Sequence, residues 1–163
     1  MRSRRYTRKA GFSLLELVIV VVIIGIIAAI AIPRMSRGTA GAADAALSGD
    51  LAVMRNAIDL FAAEHDGKFP TLAKIDTQLT QYTDSSNTSA PVATKDATHP
   101  FGPYLRAVPK LPVGACKGNT TFTSTAGGTD TTAGWYYNET TGVVTANCAD
   151  TETDSAAKKY NSY

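Results

Sequence analysis

The chain contains an uninterrupted apolar run of 21 residues from Phe12 to Ile32, FSLLELVIVVVIIGIIAAIAI, in which only Ser13 and Glu16 are polar. At about 1.5 Å of rise per residue, a helix of this length spans about 31 Å, close to the thickness of the hydrocarbon core of a bilayer. No strand of a small domain is this long, so the run predicts a helix in spite of its many Val and Ile residues. A membrane-spanning helix near the N-terminus is therefore the first constraint on the fold.

The charges separate a basic head from a mildly acidic remainder. Residues 1–11 contain five basic residues and no acid, whereas the remaining chain has 11 basic and 14 acidic residues. A basic flank stays on the cytoplasmic side of a membrane, so we expect the N-terminus inside and the C-terminal part outside. The net charge of the whole chain is only +2, which argues against a nucleic-acid-binding protein, since such a protein needs a basic face.

Three interpretations of residues 1–33 are open at this point. A signal peptide has the same basic segment and apolar run, and the A-x-A pattern at residues 29–31 supplies a cleavage site. An uncleaved signal anchor has the same composition. Neither explains Glu16, because a carboxylate near one end of an apolar span costs about 2–3 kcal/mol on insertion scales. In the third interpretation, Gly11 and Phe12 are a small residue and an aromatic residue at a polar–apolar junction, and Glu16 lies one helical turn beyond Phe12.

The segment GFSLLELVIVVVIIGIIAAIAIP resembles the class III leader and N-terminal helix of type IV pilins and of the pseudopilins of type II secretion. In that family a prepilin peptidase cuts after the glycine, here Gly11, and methylates the new amino terminus, here Phe12. The resemblance implies that Glu16 meets the N-terminal amine of a neighbouring subunit during assembly. It also implies a helix kink at Pro33.

The resemblance divides the chain into a cleaved leader (1–11), a transmembrane and filament-core helix (12–33) and a periplasmic pilin-like domain (34–163). It implies a single-pass protein of the bacterial inner membrane that assembles with copies of itself and with minor pseudopilins or pilins. A prepilin peptidase and an inner-membrane assembly platform are its other expected partners. Segments 68–72 (KFPTL) and 134–147 (GWYYNETTGVVTAN) resemble the major pseudopilin most. A type IV pilin for adhesion, motility or DNA uptake, and a secreted or anchored binding module, are the alternatives.

Beyond the apolar run, an apolar stripe with helical spacing predicts that the helix continues to Glu64. The residues of the stripe recur at intervals of four and three: Leu47, Leu51, Met54, Ile58 and Phe61. We expect the helix to end near Gly67, because glycine readily takes the left-handed C-cap conformation. The stripe is expected to pack on a small C-terminal antiparallel sheet. The predicted fold class is therefore α+β, with a long N-terminal helix on one sheet, as in pilins.

The C-terminal part predicts three short strands. Residues 119–125, 134–137 and 143–146 are rich in β-branched and aromatic side chains, and residues 138–142 are typical of a hairpin turn. Trp135 is expected in the core.

The segment between the long helix and the strands predicts mostly loop. A short helix is expected over residues 76–82, followed by a polar surface loop over 83–98. Four prolines within residues 100–113 exclude a regular helix and a central strand. We expect an ordered loop there that places four apolar side chains on the core: Phe101, Tyr104, Leu105 and Leu111.

Cys116 and Cys148 bracket the predicted strands. An even number of cysteines in an exported domain predicts a disulfide. The bond would close a loop of about 32 residues and stabilise the fold by roughly 3–4 kcal/mol in the chain-entropy model. Two free buried thiols are the alternative.

A cofactor is not expected. Asp150, Glu152 and Asp154 alternate along the chain and offer oxygen atoms for calcium, as a loop near this end does in major pseudopilins. The Gly-rich acidic loop of those proteins is missing from the sequence. Calcium is therefore the weaker interpretation, and a solvated acidic segment is the stronger one.

The sequence predicts a structural protein rather than an enzyme. It contains none of the motifs of serine hydrolases, phosphate-binding loops, zinc proteases or dinucleotide-binding folds. His65 lies at the predicted end of the long helix and His99 precedes a proline, and neither has an obvious partner acid in the sequence.

Overall fold

The computed structural model describes residues 12–86 and 89–163, and for residues 32–37 it describes the backbone alone. The described elements are, in chain order, α1 at Leu14–Glu64, α2 at Ile75–Thr80, β1 at Phe122–Thr123, β2 at Trp135–Tyr137, β3 at Val144–Ala146 and a 3₁₀ helix at Tyr160–Ser162. A long helix followed by a small sheet confirms the predicted α+β class. The chain forms two compact units with the boundary between Thr39 and Ala40, and we call residues 40–163 the globular unit.

α1 ends in a left-handed turn. The N–H of Gly67 donates to the carbonyl of Ala62 (2.8 Å), which is the six-to-one bond of a Schellman cap. Asp66 and Gly67 both have positive φ, 55° and 76°. The predicted helix end is confirmed, and the turn also holds the non-glycine Asp66 in the left-handed region.

The predicted stripe of α1 lies at the centre of the core of the globular unit. All five members are at most 1% exposed: Leu47, Leu51, Met54, Ile58 and Phe61. The same cluster contains the inward-facing residues of β2 and β3: Trp135, Tyr137, Val144 and Ala146. The indole N–H of Trp135 donates to the carbonyl of Pro109 (2.9 Å), so the one polar atom of this side chain is satisfied inside the core.

The Pro-rich segment is an ordered loop that covers the core, as predicted. Leu105 and Leu111 are buried, and the ring of Tyr104 packs edge-on against Phe61 with 5.5 Å between centroids. α2 ends two residues before the predicted helix did. Tyr82 instead forms a backbone bridge to the following loop.

The predicted antiparallel sheet is wrong in one of its two pairings. β2 and β3 form the expected antiparallel hairpin, but β1 runs parallel to β2 with Phe122 opposite Trp135. The connecting residues 124–134 contain a pair of glycines with positive φ, Gly127 and Gly128. In the structure the N–H of Gly128 donates to the side chain of Asn147 at the end of β3 (3.1 Å). This contact holds the middle of the connection beside the end of β3.

The parallel pairing depends on a close approach at Gly134. A Cβ at this position would overlap the carbonyl group of Asn119. We therefore expect Gly134→Ala to lower the free energy of unfolding by about 1–3 kcal/mol, the usual cost of overpacking, as measured by denaturation in detergent. The matched control is Gly49→Ala in α1, where a Cβ would have nothing within 4 Å. That change should stabilise the helix by up to about 1 kcal/mol. Equal effects of the two substitutions would contradict the packing argument.

Candidate functional site

The candidate processing and assembly residues lie at the start of α1. Gly11 is outside the described residues, so the structure describes the predicted cleavage junction on one side only. Phe12, the expected new N-terminus, is 78% exposed. Glu16 is exposed in the first turn of α1, where a carboxylate interacts favourably with the helix dipole. No described side chain forms an ion pair with it.

The apolar first half of α1 is not covered by any other described part of the chain. The window Leu14–Ala31 has a mean hydropathy of 3.2, and none of it is buried inside the chain. Apolar side chains face outward all around the helix, and even the least exposed large ones, Val18 and Val20, are 44% and 45% exposed. In length and composition the helix suits a membrane span. It needs lipid or other protein chains to remove this surface from water.

Pro33 lies inside α1, and the backbone around it is helical. A proline at this position removes one backbone donor from the helix, so one carbonyl in the preceding turn loses its partner. The kink predicted from the sequence stays a prediction.

Cys116 and Cys148 are both buried free thiols in the structure, and the predicted disulfide is not formed there. Burial, together with the Glu152 carboxylate and the Cys116 thiol, raises the pKa of Cys148 to about 12. Burial also raises the pKa of Cys116. Both groups are therefore protonated at neutral pH, which makes them poor nucleophiles. Both cysteines belong to the same buried core cluster, and oxidation of the pair stays a prediction.

The disulfide can be tested by intact mass. We expect protein extracted without reductant from its native membrane to be about 2 Da lighter than the reduced chain. Alkylation of two thiols after denaturation of that unreduced protein would contradict the disulfide. The double variant Cys116→Ser, Cys148→Ser should then lose roughly 3–4 kcal/mol of stability relative to the oxidised chain. The reduced wild-type chain is the control, because it separates loss of the bond from changes in packing.

The acidic residues considered for calcium are held by separate protein donors. The two oxygens of Glu152 accept the backbone N–H groups of Ala115 (2.6 Å) and Ala149 (2.8 Å). Asp150 pairs with Lys159 (3.1 Å). Asp154 accepts backbone N–H groups of its own turn and the hydroxyl of Tyr163. Within the described residues, no group of three or more His, Cys, Asp or Glu side chains is placed to hold a metal ion.

The expectation that His99 lacks a partner acid is wrong. Its Nδ1 lies 2.9 Å from Asp96, and hydrogen bonds from Thr98 and His99 hold the pKa of that carboxyl well below its usual range. The Nε2 atom of His99 is buried and has no hydrogen-bond partner in the described part of the chain. The imidazole is therefore not open to a substrate.

His65 is enclosed on all sides. It is completely buried, and its ring stacks on Phe61 at 3.9 Å. Its two nitrogens contact the carbonyl of Phe61 (2.7 Å) and the hydroxyl of Thr83 (3.1 Å). These contacts make His65 a packing residue at the end of α1.

The hairpin tip contacts the segment that follows α1. The Tyr137 hydroxyl donates to the carbonyl of Pro70 (2.9 Å), and the Glu139 carboxylate accepts the N–H of Leu72 (2.7 Å). Gly142 lies so close to Phe69 that a Cβ there would overlap the aromatic ring. Segments 68–72 and 134–147 were each recognised separately in the sequence. It had no signal that they meet, because the contacts join residues 67 positions apart.

The model of the prokaryotic N-terminal methylation motif matches residues 6–32. The matched range contains the predicted cleavage junction, Glu16 and the exposed apolar helix. No curated protein and no solved structure is significantly similar to the chain. The motif supports a type IV pilin-like family, whose members are structural subunits rather than enzymes, and it is consistent with anchoring in a membrane.

Proposed function

We propose that the chain is a subunit of a type II secretion pseudopilus, made as a prepilin and assembled into a helical filament that supports protein secretion. The observation that carries the proposal is the position of the methylation motif on a helix that is apolar on all sides and not buried by its own chain. Such a helix is suited first to lipid and then to the core of a bundle of identical helices. The chain remains in the inner membrane, with its globular unit in the periplasm, until it is assembled.

Cleavage makes the chain competent for assembly. Removal of residues 1–11 takes away five positive charges and creates an amine on Phe12, which the peptidase then methylates. An isolated carboxylate in the membrane is costly, so Glu16 favours a position beside the amine of a neighbouring subunit. The uncleaved chain lacks this amine. Subunits therefore associate only after processing.

The choice of a secretion pseudopilus over a pilus is supported by the globular unit. The two segments that resemble the major pseudopilin, residues 68–72 and 134–147, contact each other through Tyr137 and Glu139. They form one structural feature, in which the hairpin tip holds the chain as it leaves α1. A shared feature of this kind is stronger support than two independent short resemblances.

Mass spectrometry of the N-terminus tests the processing step. We expect protein extracted from its native membrane to begin at methylated Phe12, because the junction after Gly11 lies just before the apolar helix. The variant Ala31→Leu removes the A-x-A pattern of a general signal peptide and should leave this terminus unchanged. A terminus at Ile32 would contradict the proposal, since it would indicate an ordinary secreted domain. An intact Met1 would indicate a simple anchor.

Substitution of Glu16 tests the assembly step. We expect Glu16→Ala to stay in the membrane fraction but to lose filaments, because it removes one partner of an ion pair in a low-dielectric environment. Such a loss costs about 3–5 kcal/mol, so cross-linked multimers should fall by at least about two orders of magnitude. The control is Ser13→Ala, which changes the other polar residue of the same apolar run and should assemble normally.

The same strains distinguish the two kinds of filament. If the proposal is right, Glu16→Ala causes a normally secreted protein to accumulate in the periplasm. Normal secretion with loss of surface filaments would assign the chain to a type IV pilus. Normal assembly of Glu16→Ala would contradict both assignments and would favour an anchored binding module.

A further inference from the structure

β1 forms one edge of the sheet, and one side of it is unpaired. The order of the strands is β1-β2-β3, so β1 has a neighbouring strand on one side only. The carbonyl of Thr121 accepts the N–H of Trp135 in β2 (3.1 Å), and in such a ladder successive residues direct their backbone groups to opposite edges. The N–H and C=O of Phe122 therefore point to the free edge. Neither has a backbone partner among residues 12–86 and 89–163.

A groove follows this free edge. It consists of three adjoining depressions. The middle one shares Leu72 with the depression beside Glu139. It shares Asp76, Val108 and Thr120 with the depression beside Arg106 and Lys110. The middle depression has a volume of about 220 Å³ and includes Phe122 in its wall. We call the three together the edge groove.

The two ends of the edge groove carry opposite charges. Arg106 and Lys110 are exposed at one end, and neither forms an ion pair within the described chain. Glu139 lies at the other end, where its carboxylate already accepts the N–H of Leu72. Asp76 lies between them. Asp76 lines the same depression as Arg106 and Lys110, but the two bases outnumber it, and the net positive charge favours an acidic ligand at this end.

We propose that the edge groove binds an extended acidic segment of a partner protein by strand addition to β1. The backbone of the segment pairs with the N–H and C=O of Phe122, and its alternate apolar side chains contact Leu72 and Val108. Its acidic end lies beside Arg106 and Lys110. This binding is additional to filament assembly and uses no residue of the apolar helix, so the two can fail independently.

A partner protein fits the groove better than a second copy of this chain does. The alternating acids of the chain itself are already engaged: Asp150 with Lys159, Glu152 with two backbone N–H groups, and Asp154 with its own turn and Tyr163. A second copy would have to release these contacts before it could bind. The positive charge of Arg106 and Lys110 therefore favours an acidic segment of another protein over a second copy of this chain.

The experiment uses the full chain in detergent micelles and the synthetic peptide TVTVDED, blocked at both ends. Binding is followed by fluorescence anisotropy of the labelled peptide and by hydrogen exchange at the amide of Phe122. We expect saturable binding that slows exchange at Phe122. The double variant Arg106→Glu, Lys110→Glu should weaken binding by about tenfold or more, because it replaces two attractive charges with repulsive ones. The matched control Lys95→Glu, Lys117→Glu changes two exposed lysines outside the groove and should bind normally.

Changes in the peptide separate strand addition from simple charge attraction. Methylation of alternate backbone nitrogens removes the donors needed for a strand and should abolish binding, whereas the scrambled acidic peptide should bind weakly. Equal binding of the methylated peptide, equal binding by the charge-reversed variant, or no binding at millimolar peptide would each overturn the proposal. A dimer of the chain that the peptide dissociates would also overturn it, in favour of a second copy as the natural occupant.

Discussion

The packing of α1 against the sheet is the interaction on which the globular unit depends. Five side chains at helical spacing are removed from water along one side of the helix, and each contributes about 1.5–3 kcal/mol through its burial. β2 and β3 contribute alternate residues to the same cluster, and the Pro-rich loop contributes Leu105 and Leu111. Because strands of three residues cannot form a stable sheet alone, the sheet depends on its contacts with this helix and with the Pro-rich loop.

Polar residues beside the stripe fix the elements that the stripe alone would leave free to slide. Asp44 accepts the hydroxyl of Tyr160 (3.0 Å) near the C-terminus. Arg55 donates to the carbonyl of Val144 in β3 (3.1 Å). Glu64 accepts the hydroxyl of Tyr104 in the Pro-rich loop (2.6 Å). Hydrophobic contact is non-directional, whereas these hydrogen bonds specify position along the helix axis. The three residues therefore set the register of the unit.

The sequence was most informative where periodicity or chain length decides the structure. The stripe of α1 and the hairpin that ends at Gly142 follow from local spacing, and both are present. The direction of β1 was not predictable from local signals, because it depends on the path of residues 124–134, in which Gly128 contacts the distant Asn147. The partner of His99 was missed for a different reason. Asp96 lies only three residues away, but an isolated acid in a polar loop does not by itself predict a pair.

The same distinction between local and distant contacts applies to the candidate functional residues. Gly11, Phe12 and Glu16 could be predicted from the sequence because they lie within one short segment, and their roles stay predictions. The edge groove was not found, because its walls come from segments separated by about fifty residues and its free backbone groups belong to no particular side chain. A surface built from backbone geometry has no residue signature, so it becomes visible only when the sheet order is known.

Both halves of α1 carry apolar side chains that are unfavourable in water, but they differ in what covers those side chains. In the globular unit one side of the helix is apolar, and the protein's own sheet covers that side. Before Ile32 the helix is apolar on all sides, and 14 large apolar residues from Phe12 to Ile30 are at least 44% exposed. At about 1 kcal/mol for each half-exposed side chain, this surface represents more than about 10 kcal/mol, which is comparable to the whole stability of a small domain. Exposure of this surface to water is therefore strongly unfavourable, and its cover has to come from outside the described chain.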